Sequence, residues 1–310
     1  MTVSPEQIES ARRDPKLANI LYHDWESVGY DDKWSISFDE RCTRYARDRF
    51  AAIAGSDGWP YVDALEIGCG TGFFSLNLKL AGVVENVSVN DISPGMVDVA
   101  RRNAAALGFD ISGRVGDAES IPYQDASFDL VVGHAILHHI PDVKAALREV
   151  VRVLRPGGRL VFAGEPTCYG DLVARRLSRA TWWAATRATR LPVLAGWRLP
   201  AVEPDGPAGP AELEAVVDLH TFHPKDLRRM ALAAGAIDVD VRTEELTAAW
   251  FGWPARTLEY AVRREKLGGL RWAMFCYRAW LALSALDSRL LARLVPAGLF
   301  YNALVTGVRP

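Results

Sequence analysis

Residues 64–72 read ALEIGCGTG, a short apolar run that breaks into three glycines spaced two apart. The run has the length and composition of a buried strand, and residues 73–81 have the apolar spacing of a helix that ends at Gly82. Glycine tolerates the backbone angles of a tight turn and lets the bare backbone approach a ligand. The stretch therefore predicts a strand, a ligand-binding loop and a helix.

The same alternation of strand-like and helical patterns continues to residue 165. The predicted strands are 87–90, 111–115, 128–132 and 160–163, and the predicted helices are 96–107 and 143–154. A helix that begins at Pro224 precedes a strand at 237–241, and a last strand is predicted at 301–308. Such alternation is typical of an α/β fold with a doubly wound parallel sheet.

Two long segments interrupt this alternation, and we interpret both as helical insertions that form a cap. The loop 200–210, with four prolines and two glycines, is the best candidate for a linker. The predicted parts are an N-terminal helical cap segment (1–60), a ligand-binding core (61–165), a helical insertion (166–219), a second helical insertion (248–299), and completion of the sheet by 220–247 and 300–310.

The bulk properties argue against several classes of protein. A net charge of −2 gives no general attraction to nucleic acid. The four cysteines form no C-x-x-C pair, which argues against a zinc site or a disulfide framework and favours a reducing cytoplasm. The apolar run 294–308 is shorter than the roughly 18 to 20 residues of a spanning helix, and the charged N-terminus does not resemble a secretory signal. We therefore expect a cytoplasmic protein.

The nature of the ligand is narrowed by an acidic residue after the second strand. Asp91 lies about 20 residues beyond the glycine loop, the spacing at which a carboxylate reaches a ribose diol in doubly wound folds. A nicotinamide dinucleotide is one candidate, but the loop has the spacing G-x-G-x-G, preceded by Glu66, where the dinucleotide motif has G-x-G-x-x-G. The pattern disfavours that ligand.

Residues 65–72 resemble the first motif of the class I S-adenosylmethionine-dependent methyltransferases. Four later segments resemble further motifs of this family, namely 90–93 the ribose motif, 116–118 the adenine motif, 127–132 the fourth strand and 155–158 the turn before the fifth strand. The resemblance covers 64–165 well and 220–241 loosely. It is greatest to the broad subgroup that includes quinone-biosynthesis methyltransferases.

The resemblance implies S-adenosyl-L-methionine as the cofactor and a seven-stranded sheet with an antiparallel last strand. It also implies which residues surround the cofactor. Glu66 and the loop residues Gly68, Cys69, Gly70 and Gly72 would surround the methionine tail, Asp91 would hold the ribose hydroxyls, Ile92 would lie against adenine, and Asp117 with the Ala118 amide would read the adenine edge.

Methyl transfer from a sulfonium is an in-line displacement, so the enzyme supplies mainly orientation and exclusion of water. Where the acceptor must lose a proton, the histidines after the fourth strand, His134, His138 and His139, are the candidate bases, with His134 first and Glu165 ranked below it. His134 is also a candidate cofactor-binding residue. The alternatives are that a histidine supports the cofactor loop and that Glu165 fixes a turn. His220 and His223 have metal-like spacing, but no third ligand is near and His223 precedes Pro224 as an N-cap would, so we predict no metal.

All ten tryptophans lie outside residues 60–165, and the insertions are basic. Residues 168–200 hold six basic residues and one acidic residue, and residues 254–296 hold eight and three. These features favour a small apolar molecule or lipid as the acceptor, with no nucleic-acid partner. A solvated basic face and a face that lies peripherally on an anionic membrane are both compatible with the pattern.

Two further functions remain open from the sequence. The chain could bind the cofactor without turnover and regulate or scaffold a partner, because one sequence does not verify the acceptor residues. A nicotinamide-dependent oxidoreductase is the less favoured alternative. The oligomeric state has no signal in the sequence.

Overall fold

The structure is a computed structural model that describes residues 3–199 and 210–310. The predicted linker 200–210 lies outside the described residues, except for its last position. The chain forms two compact units. The described residues of unit 1 are 3–165, 210–241 and 304–310, and those of unit 2 are 166–199 and 242–303.

The described residues form a sheet of seven strands in the order β3-β2-β1-β4-β5-β7-β6. The strands are β1 (Tyr61–Ile67), β2 (Val84–Asp91), β3 (Ser112–Val115), β4 (Phe128–His134), β5 (Leu154–Pro166), β6 (Ile237–Glu244) and β7 (Asn302–Val308). The pairs β1–β2, β1–β4, β2–β3 and β4–β5 are parallel. The strand order reverses at β1 and β4, which confirms the predicted doubly wound α/β fold.

Strand β7 runs antiparallel to β5, as the resemblance implies. The amide of Gly157 donates to the Arg309 carbonyl, and the Leu160 carbonyl accepts from the Thr306 hydroxyl. Residue numbers thus fall along β7 as they rise along β5. A strand from the end of the chain is thereby placed beside β5, and it completes the sheet.

The helices of unit 1 begin where the sequence provides capping residues. Ser93 accepts from the Met96 amide and Pro94 occupies the first turn of α6, and His223, the predicted N-cap, accepts from the Lys225 amide. The helices are α1 (Pro5–Ala11), α2 (Pro15–Glu26), α3 (Tyr30–Trp34), α4 (Glu40–Ala54), α5 (Phe73–Leu80), α6 (Pro94–Ala106), α7 (Val143–Val153), α9 (Glu214–Val217) and α10 (Pro224–Ala233).

The core of unit 1 combines the apolar strands with helices on which apolar residues recur at helical spacing. Phe50 of α4 and Phe74 of α5 are fully buried with Leu130 of β4. A smaller apolar cluster joins Leu21 of α2 to Val217 of α9. Residues 213–217 therefore belong to unit 1, although they were predicted to belong to the insertion 166–219.

Unit 2 contains three long helices, α8 (Cys168–Ala188), α11 (Thr247–Ala261) and α12 (Leu270–Arg289). The buried Asp287 of α12 accepts from the backbone amides of Leu246, Thr247 and Ala248, and thereby caps the first turn of α11. The segments predicted as two insertions therefore contribute to one helical unit. In the part of the chain that the structure describes, no helix is both long and apolar enough to cross a membrane.

Candidate cofactor and acceptor site

The glycine loop between β1 and α5 requires glycine at two positions because of packing. Gly68 and Gly72 have φ values of 55° and 83°, which side chains rarely adopt. A Cβ atom on Gly68 would lie 2.1 Å from Ile136 Cδ1, and one on Gly72 would lie 2.9 Å from Leu76 Cδ1. Both glycines therefore let the loop pack against neighbouring elements.

The middle glycine of the loop has a different environment. Gly70 has a φ of 50°, and among the described residues a Cβ atom built on it would lie near Tyr30 Cε1 alone, at 3.9 Å. The absence of a side chain keeps the space in front of the backbone open. Tyr30 belongs to α3, so a helix of the N-terminal segment lies beside this space.

Asp91 joins the glycine loop to the loop that follows β2. One carboxylate oxygen accepts from the Gly70 amide at 2.9 Å, and the other accepts from the Ser93 amide at 2.9 Å. The side chain is buried, and burial raises the pKa of Asp91 to about 6. Ile92, the next residue, is half-buried. The carboxylate predicted from the ribose motif thus lies at the junction of β1 and β2.

Glu66 is the second buried carboxylate near the loop. Its Oε2 accepts from the Ser75 amide at 3.0 Å and from the Ser75 hydroxyl, at the N-terminus of α5. Burial raises the pKa of Glu66 to about 7. Burial, followed by the negative charge of Asp91, raises the pKa of the Cys69 thiol well above its ordinary range, so this cysteine is protonated.

The adenine motif is in contact with the start of α2. Lys16 Nζ lies 2.6 Å from Asp117 Oδ2 and 2.6 Å from Glu119 Oε2. Ala118, between them, is half-buried. Lys16 was not predicted, because an ion pair between residues about a hundred positions apart leaves no recognisable spacing in the sequence.

Helix α2 also contacts the ribose motif. Asp24 Oδ1 accepts from the Ser93 hydroxyl and, at 2.8 Å, from the Gly95 amide at the N-terminus of α6. A carboxylate at this end of a helix is stabilised by the helix dipole. The N-terminal segment therefore contacts both the adenine and the ribose motifs through charged side chains.

His134, at the end of β4, lies among aromatic side chains of α4 and α5. Its Nε2 lies 3.1 Å from the Tyr45 hydroxyl, and its ring centroid lies 5.3 Å from those of Phe73 and Phe74. Burial, followed by the positive charge of Arg49, lowers the pKa of His134 to about 4. The imidazole is therefore neutral at physiological pH.

His138 and Glu165 are directly hydrogen-bonded. Glu165 has no exposed surface, and its carboxylate accepts from the amides of Ile136 (3.0 Å), Leu137 (2.9 Å) and His138 (3.1 Å). Nδ1 of His138 lies 2.9 Å from the same carboxylate. Glu165 thus fixes the turn that follows β4.

The residues in front of the loop fit a nucleoside-sulfonium. The open space before Gly70 is flanked by buried carboxylates that suit the hydroxyls and the amine of such a ligand. The hydroxyl of Thr71, also buried in the loop, has no hydrogen-bond partner among the described residues. An unsatisfied buried hydroxyl at a loop of this kind is consistent with a ligand contact.

Comparison with known proteins identifies the domain. The profile of the family described as methyltransferase domain matches residues 65–162. The 27-O-demethylrifamycin SV methyltransferase of Amycolatopsis mediterranei (strain S699) is 39% identical over 138 residues, which are 43% of this chain and 48% of that protein. The demethylmenaquinone methyltransferase of Deinococcus radiodurans is 39% identical over 102 residues, 33% of this chain and 42% of that protein. The chain thus matches less than half the length of either relative.

Solved structures show the same fold at low sequence identity. Phosphoethanolamine N-methyltransferase 2 of Haemonchus contortus has a TM-score of 0.52 at 14% identity, over 86% of this chain and 52% of that chain. The cyclase SpnF has a TM-score of 0.51 at 19% identity, over 87% and 80%. The fold therefore occurs with more than one reaction, and the sequence motifs carry the assignment. Residues 65–162 are a methyltransferase domain of the class I S-adenosylmethionine-dependent family, as the motifs predict.

Proposed function

We propose that the chain binds S-adenosylmethionine at the carboxyl ends of β1, β2 and β3 and transfers its methyl group to a small, largely apolar molecule or lipid. The observation that carries the proposal is the buried Asp91 carboxylate, which joins the loops after β1 and β2 in front of Gly70. Binding at the carboxyl ends of parallel strands is the rule for open α/β sheets.

When bound, the cofactor supplies a methyl group on a positively charged sulfur. In our proposal, Asp91 accepts from the ribose hydroxyls, and Glu66 with the glycine loop surrounds the methionine tail. Asp117 and the Ala118 amide bind the adenine edge, against which Ile92 packs. Each of these residues except Ile92 offers a polar side chain or a backbone group, which the hydroxyls, the amine and the adenine edge of the cofactor require.

His134 is the base that we propose for an acceptor that must lose a proton. Its support is the neutral imidazole, which has the Tyr45 hydroxyl as a partner and aromatic neighbours that exclude water. For Glu165 and His138 we propose a positioning role, because the carboxylate is fully buried and already accepts from three backbone amides.

An apolar acceptor is supported by the relatives and by unit 2. Two relatives are named for rifamycin and menaquinone acceptors. Unit 2 exposes large apolar side chains among arginines, including Trp183 beside Arg187 and Phe275 beside Arg278. Such a surface suits peripheral contact with an anionic lipid layer.

The proposal is tested by incubating the purified protein with methyl-tritiated S-adenosylmethionine and a cell lipid extract. We expect label to enter an organic-soluble product, and His134→Gln to lower that rate by about 10² to 10⁴-fold for an acceptor that needs a base. Cofactor binding without transfer to any extract would favour the regulatory alternative. A gain in thermal stability from NAD, and none from S-adenosylmethionine, would favour the oxidoreductase.

A further inference from the structure

The turn after β4 lies beside the segment that follows α9, where His139 and Asp218 offer donors that the proposed reaction does not use. The His138 carbonyl accepts from the Leu219 amide at 2.9 Å. His220 Nε2 lies 3.0 Å from the Ile140 carbonyl oxygen. These bonds hold the segment 217–220 against the turn, and they bring Asp218 next to His138 and His139.

Three side chains and one carbonyl here form a possible donor set. His138 Nε2 lies 3.9 Å from Asp218 Oδ1, and His139 Nδ1 lies 3.5 Å from the same oxygen. His139 Nδ1 also lies 2.9 Å from the Val217 carbonyl oxygen. Donors at bond lengths of about 2.0–2.2 Å around a tetrahedral zinc ion lie roughly 3.3 Å apart. The observed separations lie on both sides of that value, so small side-chain rotations would bring the donors to one ion.

The surroundings of the donors also match those of metal sites. Glu165 bonds Nδ1 of His138 and so leaves Nε2 directed at the candidate position, as the carboxylate partners of zinc-bound histidines do. The Asp218 side chain is 50% exposed, so an ion can enter from solvent. One carboxylate and two imidazoles suit a zinc-class ion better than magnesium or calcium, which prefer oxygen ligands.

We propose that His138, His139 and Asp218 bind a divalent transition metal of the zinc class, with the Val217 carbonyl oxygen nearby as a further donor. The ion would take the place of the proton that His139 Nδ1 shares with that carbonyl, and the neutral imidazole would then carry its single proton on Nε2. It would fasten the segment 217–220 to the turn after β4. His220 and His223 are not part of this candidate metal site, because His220 contacts backbone oxygens and His223 caps α10.

The test is calorimetric titration of the chelator-treated full chain with zinc chloride. We expect one equivalent to bind, and Asp218→Asn and His139→Gln each to weaken binding by about 10- to 100-fold. The control His223→Asn removes an imidazole but keeps an N-cap residue, and should bind as the parent does. Thermal unfolding of each variant without metal reports whether the variant is folded. Should His139→Gln fail to fold, Asp218→Asn still tests the proposal, because the Asp218 side chain is half-exposed and its substitution leaves the core intact.

Cobalt titration provides a second readout, because a cobalt ion held by nitrogen and oxygen gives visible absorption without a thiolate charge-transfer band. That spectrum, lost in Asp218→Asn, supports the proposal. Four results would overturn it: no stoichiometric binding by the folded parent, unchanged binding in Asp218→Asn, loss of binding in His223→Asn, or a thiolate band from one of the four cysteines.

Discussion

The buried acidic residues of the proposed cofactor site, Glu66 and Asp91, make the stability of the protein depend on pH. Glu66 and Asp91 have pKa values raised to about 7 and about 6, mainly by burial. A carboxyl group whose pKa is higher in the folded than in the unfolded chain stabilises the fold at low pH. That contribution is lost as the pH rises through the folded pKa. Both groups therefore make the ligand-free protein less stable at alkaline than at acidic pH.

Glu66→Gln should remove part of this dependence. Between pH 5 and 8 the parent should lose about 2 kcal/mol of unfolding free energy through Glu66 alone, since each unit of pKa difference corresponds to about 1.4 kcal/mol. Urea unfolding at the two pH values measures the loss. Glu85→Gln, an exposed change on β2, should leave the parent's dependence intact. The same slope in Glu66→Gln and the parent would contradict the interpretation.

We expect Glu165 to contribute to the free energy of unfolding as well as to the rate of methyl transfer. Its carboxylate accepts from three backbone amides, and glutamine offers only one acceptor oxygen in its place. Glu165→Gln should therefore cost about 2–3 kcal/mol of unfolding free energy. Chemical denaturation measures this cost against Glu85→Gln. A loss of transferase activity with no loss of stability would instead indicate direct contact with the acceptor.

At the scale of elements, local pattern predicted the strand, glycine loop and helix of residues 61–80 within a few residues. The bounds of β5 were harder, because the Pro-Gly-Gly stretch at 156–158 has the composition of a turn. In the structure this stretch belongs to β5, and the backbone groups of Gly157 and Gly158 are hydrogen-bonded to Arg309, the residue directly after β7. Pairing with a distant strand thus overrides the local turn signal.

Several residues that the sequence predicts to bind the cofactor also lie close to one another in the structure. Glu66, the three glycines and Asp91 lie together because they end neighbouring strands, a consequence of parallel pairing that motif spacing encodes. Lys16, Asp24 and Tyr45 were missed, because contacts from the N-terminal helices depend on tertiary packing that leaves no fixed spacing. Asp218 was not predicted as a metal ligand for the same reason, because it lies far along the chain from His138 and His139.

The helices of unit 2 depend on one buried acidic residue. Asp287 of α12 accepts from three backbone amides at the start of α11, and it is almost fully buried. Asp287→Ala would leave these donors unsatisfied and should destabilise unit 2 by about 2–3 kcal/mol. Hydrogen exchange should show faster exchange in α11 and α12 than in the parent, with the sheet protected as before. Glu265→Ala, an exposed change in the same unit, is the control.

At the scale of the whole molecule, the charge is divided unevenly. Residues 166–199 and 242–303 hold fifteen Lys and Arg residues against six Asp and Glu, while the entire chain has a net charge of −2. Unit 2 is therefore basic and the remainder of the chain is acidic. The exposed Trp183 and Phe275 add apolar contact area to the basic unit.

This division predicts binding to vesicles that contain phosphatidylglycerol and little binding to phosphatidylcholine alone. Changing Trp183 and Phe275 together to serine should weaken binding about tenfold, and high salt should release the protein. Val28→Ser, which alters an exposed apolar residue of unit 1, is the control in a flotation assay. Equal binding to both vesicle types would show that the basic face is merely solvated.

Calorimetric titration of the full chain with S-adenosylhomocysteine, the demethylated product, tests the central claim most directly. The parent should bind one equivalent, and Asp91→Ala should bind at least about tenfold more weakly, because it loses a buried charged acceptor. Asp98→Ala, an exposed change on α6, should bind as the parent does. A folded parent that takes up no ligand, or an Asp91→Ala variant with undiminished affinity, would contradict the assignment of the site.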